Sequence, residues 1–200
     1  MTIQSRALET HITILNTALA LFSQNGYDAT SVAKICQKAN VSKGAFYHHF
    51  PSKQALFLAL MTSWLDDVDG MFQFASQSAT DVSQSLQMMA EVSGYFFDAL
   101  EGGFPILLEF WTQASRHPAV WKRAVAPYQR YLEFFGNLIK TGIEQDVFDH
   151  DIDTDTTARI IMAMAMGLLL QAAFDPDYKG WQSVTSSGID IILNGLRRTT

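Results

Sequence analysis

The chain has one cysteine and none of the short motifs that mark common enzyme active sites. With Cys36 alone no internal disulfide can form, which is typical of proteins in a reducing compartment. The sequence contains no G-x-S-x-G, no H-E-x-x-H and no G-x-x-x-x-G-K segment, so nothing in it indicates a hydrolase, a zinc protease or a phosphate-binding loop. We therefore expect neither an enzyme nor a bound cofactor.

Long apolar runs and metal-ligand spacings are also missing. The first residues, MTIQSRALETH, lack a basic region followed by an apolar core, and the apolar run 160–173 is shorter than the about 20 residues that a membrane span requires. Four aspartates alternate in the acidic segment 144–155, but a calcium loop counted from Asp149 would have Thr154 and Ile160 where it needs glycine and glutamate. We predict a cytoplasmic chain with no membrane partner and no metal site.

Acidic residues outnumber basic ones, but the two signs are unevenly distributed along the chain. The net charge is −6 over 200 residues, of which 48% are hydrophobic, a composition typical of a globular protein. Residues 1–55 carry five basic and two acidic side chains, whereas the other 145 residues carry nine and eighteen. A basic end on an acidic body is typical of a protein that contacts nucleic acid at one end only.

Within the basic end, the sequence predicts two short helices joined by a turn. The first is capped by Thr30 or Ser31 and ends at Asn40, since asparagine tolerates the left-handed backbone of a helix C-terminus. The second begins at Ser42 and ends before Pro51, because proline removes a backbone donor and restricts the residue that precedes it. This pattern indicates a helix-turn-helix, whose second helix enters the major groove of DNA.

The second helix separates residues that anchor it from residues that can reach DNA. Phe46 and Phe50 are four positions apart and are expected to face inward. The predicted DNA-contacting residues lie near the helix starts or on the outer face: Thr30, Ser31, Ser42, Lys43, Gly44, Ala45, Tyr47, His48 and Lys53. Lys43 lies at the end that points into the groove, while Tyr47 and His48 can donate to phosphates. Lys53 can hold a phosphate at the start of the next helix.

One dense motif runs from Val41 to Leu56: Val-Ser-Lys-Gly, then Phe-Tyr-x-His-Phe, then a lysine and a leucine. In this order it resembles the DNA-binding signature of TetR-family transcriptional regulators, over about residues 12–60. Asn40 and Ala33 depart from the family pattern, in which glycine and arginine are common. The resemblance implies a ligand-responsive regulator, acting as a repressor, that binds a palindromic operator in double-stranded DNA as a dimer.

Before the helix-turn-helix, apolar residues spaced four, three, four and three apart predict one more helix. They are Leu8, Ile12, Leu15, Leu19 and Phe22, and the helix ends at Asn25-Gly26. We expect this apolar face to cover the helix-turn-helix and to complete a three-helix head.

The rest of the chain shows helical periodicity only. Helices are predicted from Ser52 to about Ser76, from Asp81 or Ser83 to Leu100, from Pro105, along 121–143, over 156–174 and from Trp181. In the fourth of these, Pro127 predicts a kink or a start near Ala126. We predict an all-α fold of about nine helices, with a helix-turn-helix DNA-binding domain at residues 1–54 and an effector-binding and dimerisation domain at residues 55–200.

The last two predicted helices are too apolar to be surrounded by solvent. Residues 156–174 are apolar on nearly all sides, and Gly188 and Gly195 in the last helix allow close backbone approach. In the resembled family the corresponding helices form a four-helix dimer interface, so we expect a homodimer through them.

The body is rich in aromatic residues and methionines, which predicts an apolar effector cavity between its helices. The residues expected to line it are Phe72, Met88, Tyr95, Phe104, Phe110, Trp111, Tyr128, Tyr131, Met162 and Met166, with Glu109, Gln113 and Gln171 as polar groups that orient the guest. The effector is either a neutral apolar or aromatic molecule, or a cation held against aromatic rings with Glu109 as counter-charge. The alternative function is an all-helical small-molecule-binding or interaction protein without specific DNA binding.

Overall fold

The structure, a computed structural model, describes residues 3–93, 103–175 and 177–197. The helices in these residues are α1 Ile3–Asn25, α2 Val32–Ala39, α3 Lys43–His49, α4 Lys53–Ser78, α5 Val82–Val92, α6 Gly103–Ala114, α7 Pro118–Glu144, α8 Thr154–Phe174 and α9 Trp181–Leu196. An isolated β-bridge between Phe148 and Arg197 is the only extended pairing in the described residues. The predicted all-α fold is therefore confirmed for this part of the chain, which holds nine helices.

Packing divides the chain into two compact units. The head unit comprises Met1–Asp66 and Pro105–Ala124, and the body unit comprises Asp67–Phe104 and Val125–Thr200. The head unit thus contains α6 and the first residues of α7 in addition to the helix-turn-helix. This division by packing differs from the division by function after residue 54, which stays a prediction.

In the head unit, α1 turns a different face inward from the one predicted. Its buried apolar residues are Ile14, Ala18, Leu21 and Phe22. Of the predicted stripe Phe22 alone is buried, whereas Leu8, Ile12 and Leu19 are exposed. The prediction failed because two neighbouring stripes of α1 are both apolar. Packing selects the stripe that also places the His11 ring 4.6 Å from the Phe50 ring.

The body unit is built around one cluster of buried apolar residues from five helices and the turn after α7. Its members are Ala75, Val82, Leu86, Met89, Ala90, Phe135, Ile139, Phe148, Ala158, Ile161, Met162, Ile189, Leu193 and Leu196. Within α5, the spacing of Val82, Leu86 and Met89 is that of an amphipathic helix, so one face lies in the core. α5 packs against α9, where Gln87 Nε2 donates to Asp190 Oδ1 at 2.9 Å.

One predicted helix start changes in the structure, and another is confirmed. α7 continues through Pro127 from Pro118 to Glu144, so of the two predicted alternatives the start near Ala126 is wrong, and the kink stays a prediction. Proline removes one backbone bond, which a helix of 27 residues tolerates because the bonds on either side continue. α5 has Asp81 as its N-cap and is described as far as Val92. The remainder of the helix predicted to reach residue 100 lies outside the described residues.

α8 is the one helix among the described residues that could cross a membrane by length and composition, with a mean hydropathy of 1.6. A single helix of this kind is weak evidence for a membrane protein, because core helices of globular proteins pass the same test. Ala158, Ile161 and Met162 lie in the body core, whereas Ile160 and Met166 are exposed. α8 therefore has one apolar face in the core and another apolar face open.

Candidate nucleic-acid interface

The turn between α2 and α3 is shaped by an asparagine in the left-handed conformation. Ser31 Oγ accepts the Lys34 backbone N–H at 3.2 Å and so caps the start of α2. At the other end, Asn40 has φ 55° and ψ 44°, and its N–H points to the carbonyls of Cys36 and Gln37. Asn40 thus forms the helix C-cap that glycine more often forms.

α3 is a short helix held by one hydroxyl and two aromatic rings. Ser42 Oγ accepts the Ala45 backbone N–H at 3.0 Å, so the predicted N-cap is confirmed. Phe46 and Phe50 are buried, and the Phe50 N–H donates to the Phe46 carbonyl at 2.8 Å before the chain turns at Pro51. A seven-residue helix is unstable alone, so these contacts determine where its outer face points.

The outer face of α3 is open to solvent. Lys43, Gly44, Tyr47 and His48 are all exposed, and Tyr47 keeps 53% of its surface accessible. A Cβ added at Gly44 would lie within 4 Å only of Ser42 Oγ, at 3.7 Å, so another backbone can approach closely there. The predicted division between anchoring and outward residues is therefore present, with Ala45 half-buried between them.

Thr30 does not belong to this exposed face. Its side chain is fully buried, and its hydroxyl donates to the Gly26 carbonyl at 2.8 Å and lies 3.2 Å from the Leu21 carbonyl. Thr30 therefore stabilises the connection between α1 and α2, and its predicted contact with DNA is corrected. The neighbouring cap, Ser31, is the exposed one of the two.

Lys53 makes a contact inside the head unit that was not predicted. Its Nζ donates to the Tyr27 carbonyl at 2.8 Å and lies 4.1 Å from the centroid of the Tyr27 ring. Partial burial lowers the pKa of Lys53, and the nearby carboxylates of Asp28 and Glu109 oppose that shift. A phosphate contact, the role predicted for Lys53, would require its ammonium to leave the Tyr27 carbonyl.

The ring of His49, at the end of α3, adjoins two other histidine rings. The His49 ring lies 5.6 Å from the His11 ring and 5.3 Å from the His48 ring. Burial lowers the pKa of His49, and the charges of His11 and His48 lower it further. Sequence reasoning missed His11 because it lies on α1, far from the motif in the chain.

Two of the polar residues predicted to orient an effector instead bond to the turn between α1 and α2. Glu109 Oε2 accepts the Tyr27 backbone N–H at 2.7 Å, and Glu109 Oε1 accepts the Asp28 backbone N–H at 2.6 Å. Gln113 Nε2 donates to Asp28 Oδ2 at 2.7 Å. The third residue, Gln171, is exposed on α8 and bonds to the Gly167 carbonyl. Both oxygens of Glu109 are thus bound to backbone N–H groups in this structure, and its role as counter-charge for a bound cation stays a prediction.

The apolar residues predicted to line an effector cavity fall in both compact units. Phe72, Met88 and Tyr131 pack against the body core, which includes Met162. Phe110 and Trp111 belong to the head unit. Of the remaining four, Tyr128 and Met166 are exposed, whereas Tyr95 and the side chain of Phe104 lie outside the described residues.

An acidic residue that the sequence did not single out lies beside Tyr131. The Tyr131 hydroxyl donates to Asp69 Oδ1 at 2.7 Å, and Arg130 pairs with Asp69 Oδ2 at 2.8 Å. Burial and the Asp69 carboxylate raise the pKa of Tyr131, so its phenol stays protonated. The Phe72 ring lies 6.0 Å from the Tyr131 ring in an edge-to-face arrangement.

A short helix that presents an exposed basic end, anchored on a three-helix head, defines a helix-turn-helix DNA-binding protein. The family model "Bacterial regulatory proteins, tetR family" matches residues 14–60, and the model "BetI-type transcriptional repressor, C-terminal" matches residues 105–183. The chain belongs to the TetR family of bacterial transcriptional regulators.

Relatives of the chain are similar along nearly its whole length. It is 25% identical over 193 residues to the HTH-type transcriptional regulator UidR of Escherichia coli (strain K12), covering 96% of this chain and 95% of that protein. It is 26% identical over 191 residues to the HTH-type transcriptional regulator CymR of Pseudomonas putida, covering 93% and 90%. The TetR family transcriptional regulator PfmR from Thermus thermophilus matches in structure with a TM-score of 0.72 at 27% identity, covering 92% and 99%. These similarities support a transcriptional regulator and not the alternative without DNA binding.

Proposed function

We propose that this regulator is a homodimeric, effector-responsive repressor that works in the cytoplasm and binds a palindromic operator in double-stranded DNA. The observation that carries the proposal is the outer face of α3, which is exposed, basic at its first residue and anchored by Phe46 and Phe50. The match of residues 105–183 to a repressor C-terminal model supports repression.

On the operator, the first residues of α3 lie in the major groove. Lys43 contacts base edges and Gly44 allows the backbone to approach, with Ala45 beside it. Tyr47 and His48 donate to phosphates, as do the hydroxyls of the helix-capping serines at residues 31 and 42. A helix of seven residues contacts few base pairs, so two heads on successive half-sites are needed for specificity.

The second head is supplied by dimerisation through α8 and α9. These helices present large apolar side chains to solvent: Ile160, Met166, Phe174, Val184 and Ile191. Exposed apolar surface of this extent on two neighbouring helices is typical of a protein–protein interface. A two-fold partner would cover these side chains with the same surface of a second copy.

The effector is a small, largely apolar or aromatic molecule, neutral or cationic. The support is the set of aromatic and methionine side chains in the predicted lining, among them Phe72, Tyr131 and Met162. The effector releases DNA only if it binds the released conformation more tightly than the DNA-bound one.

The test is gel retardation with a duplex enriched from a random-sequence pool by the wild-type chain. Lys43→Ala and Tyr47→Ala should each weaken retardation by about tenfold or more, as expected for a base or phosphate contact of about 1–3 kcal/mol. Lys179→Ala, which removes the same charge from an exposed position of the body unit, is the control for Lys43→Ala. Gel filtration should show an unchanged dimer for all three variants. Retardation of both α3 variants at the wild-type level would refute the proposed interface.

A further inference from the structure

A carboxylate on α6 accepts hydrogen bonds from the backbone of the turn that leads into the helix-turn-helix. Both oxygens of Glu109 are used, one by the N–H of Tyr27 and the other by the N–H of Asp28, at 2.7 Å and 2.6 Å. Bonds between a carboxylate and N–H groups are stronger than neutral ones because the acceptor is charged. The two bonds join residues 82 and 81 positions apart in the chain.

The turn is shaped to receive this carboxylate. Gly26 has φ +81°, a conformation that side chains rarely adopt, and a Cβ added there would lie 3.1 Å from Glu109 Oε2. The turn therefore exposes two consecutive N–H groups with no side chain between them and Glu109. Gln113, one helical turn after Glu109, adds a bond from its amide to Asp28 Oδ2.

Apolar contacts around the carboxylate hold α6 against the turn. Phe110 is fully buried, stacks on Phe57 with ring centroids 4.2 Å apart, and meets the Tyr27 ring edge-on at 5.6 Å. The Tyr27 carbonyl accepts a hydrogen bond from the Lys53 ammonium at 2.8 Å. The N–H, the ring and the carbonyl of Tyr27 are thus all contacted by side chains of α4 or α6.

We propose that Glu109 is a positioning residue for DNA recognition, which holds the α1–α2 turn on α6 and so gives α3 one orientation in the head unit. The proposal rests on the proposed function, since a fixed orientation matters when two heads must meet two half-sites together. A head that is already oriented loses less conformational freedom on binding, which favours the operator over other duplexes. Binding to a single non-specific site depends on phosphate contacts and does not require this orientation.

The test compares Glu109→Gln with Glu133→Gln, which removes the same charge from an exposed position of α7. In Glu109→Gln one acceptor oxygen becomes an amide donor facing a backbone N–H, so one of the two bonds is lost. Relative to the control, its affinity for the selected operator should fall about tenfold. Its affinity for a shuffled duplex of equal length should stay within about twofold, because the phosphate-contacting residues are unchanged.

A second measurement, made without DNA, tests whether Glu109 holds the turn in place. Amide hydrogen exchange at Tyr27 and Asp28 should be about tenfold faster in Glu109→Gln than in Glu133→Gln, since the opened turn exposes both N–H groups. If Glu109→Gln fails to fold, Gln113→Ala is tested instead. This variant keeps the Glu109 carboxylate and removes only the bond from Gln113 to Asp28 Oδ2, so it should show a smaller loss of operator affinity. Parallel loss of affinity for both duplexes, or unchanged operator affinity and exchange, would overturn the positioning role. A wild-type chain that enriched no duplex would instead refute operator binding, and the exchange rates would still decide whether Glu109 holds the turn.

Discussion

At the scale of single residues, Tyr27 lies in a short turn but contacts several residues of the head unit that are distant in the chain. Its ring packs on Phe22, Phe57 and Phe110, with centroids 5.3 to 5.6 Å apart. Burial, followed by the charges of the neighbouring carboxylates Asp28 and Glu109, raises the pKa of Tyr27 to about 12. Its phenol therefore stays neutral at physiological pH, and Tyr27 acts through packing and backbone bonds.

His49 predicts a pH dependence of stability. Its folded-state pKa lies below the ordinary value of 6.5, because burial and then the charges of His11 and His48 disfavour the protonated ring. The unfolded chain thus binds more protons in the window below pH 6.5, so the free energy of unfolding falls as the pH drops through it. His49→Gln should lose less stability than wild type between about pH 7.5 and about pH 5.5.

Urea unfolding at these two pH values measures the difference. His117→Gln provides the control. His117 is exposed, follows α6 and makes no ring contact with His11, His48 or His49. The control should keep the wild-type pH dependence. If the free energy of unfolding changes equally with pH in His49→Gln and in wild type, the protonation of His49 does not affect folding.

At the scale of helices, the head depends on short elements whose ends are satisfied by side chains. α2 and α3 have only eight and seven residues, too few for stable isolated helices. Ser31 and Ser42 cap their starts, and Asn40 closes the end of α2. These contacts are local, which explains why the caps at Ser31 and Ser42 and the helix end at Asn40 were predicted correctly.

Two glycines of α7 should respond oppositely to alanine. A Cβ at Gly142 would overlap the buried ring of Phe148, whereas a Cβ at Gly136 would meet nothing within 4 Å. Gly142→Ala should lower the free energy of unfolding by about 1–3 kcal/mol through overpacking. Gly136→Ala should raise it by about 0.5–1 kcal/mol, because alanine loses less backbone entropy in a helix. Chemical denaturation measures the change in the free energy of unfolding for each variant. Destabilisation of equal size in both would contradict the assigned packing.

For the whole molecule, basic and acidic residues separate along the chain. The first 55 residues are basic on balance, the rest is acidic, and exposed apolar side chains are present on α8 and α9. This arrangement allows attraction to DNA at the head without general affinity of the body for nucleic acid. It also leaves the proposed dimer interface as the surface most sensitive to an added charge.

Ile191→Glu should dissociate the dimer. Ile191 is 73% exposed on α9, and a carboxylate buried there without a partner would cost about 3–5 kcal/mol, or about 100-fold or more in the dimer dissociation constant. Leu8→Glu is the matched control, because Leu8 is 61% exposed but lies on α1. Sedimentation velocity over a concentration series should show monomers for Ile191→Glu only. A wild-type dimer in that variant would place the interface elsewhere.

Sequence and tertiary structure determined different parts of this protein. Periodicity, caps and the dense motif after Val41 were enough to predict the all-α fold, the family and the outward face of α3. These features depend on residues at most a few positions apart, whose geometry follows from helical spacing. The same spacing could not choose between two apolar stripes of α1, so Leu8 was wrongly predicted to be buried.

The hydrogen-bond partners of Glu109, Lys53 and Thr30 were determined only by tertiary structure. A glutamate within an apolar helix indicates a polar partner, but nothing local identifies that partner as the backbone of Tyr27, 82 residues earlier. Lys53 and Thr30 likewise resemble surface residues in the sequence and bond to the same region of the head in the structure. Helical spacing fixes which face a side chain occupies, whereas the partner it meets there depends on how distant helices pack.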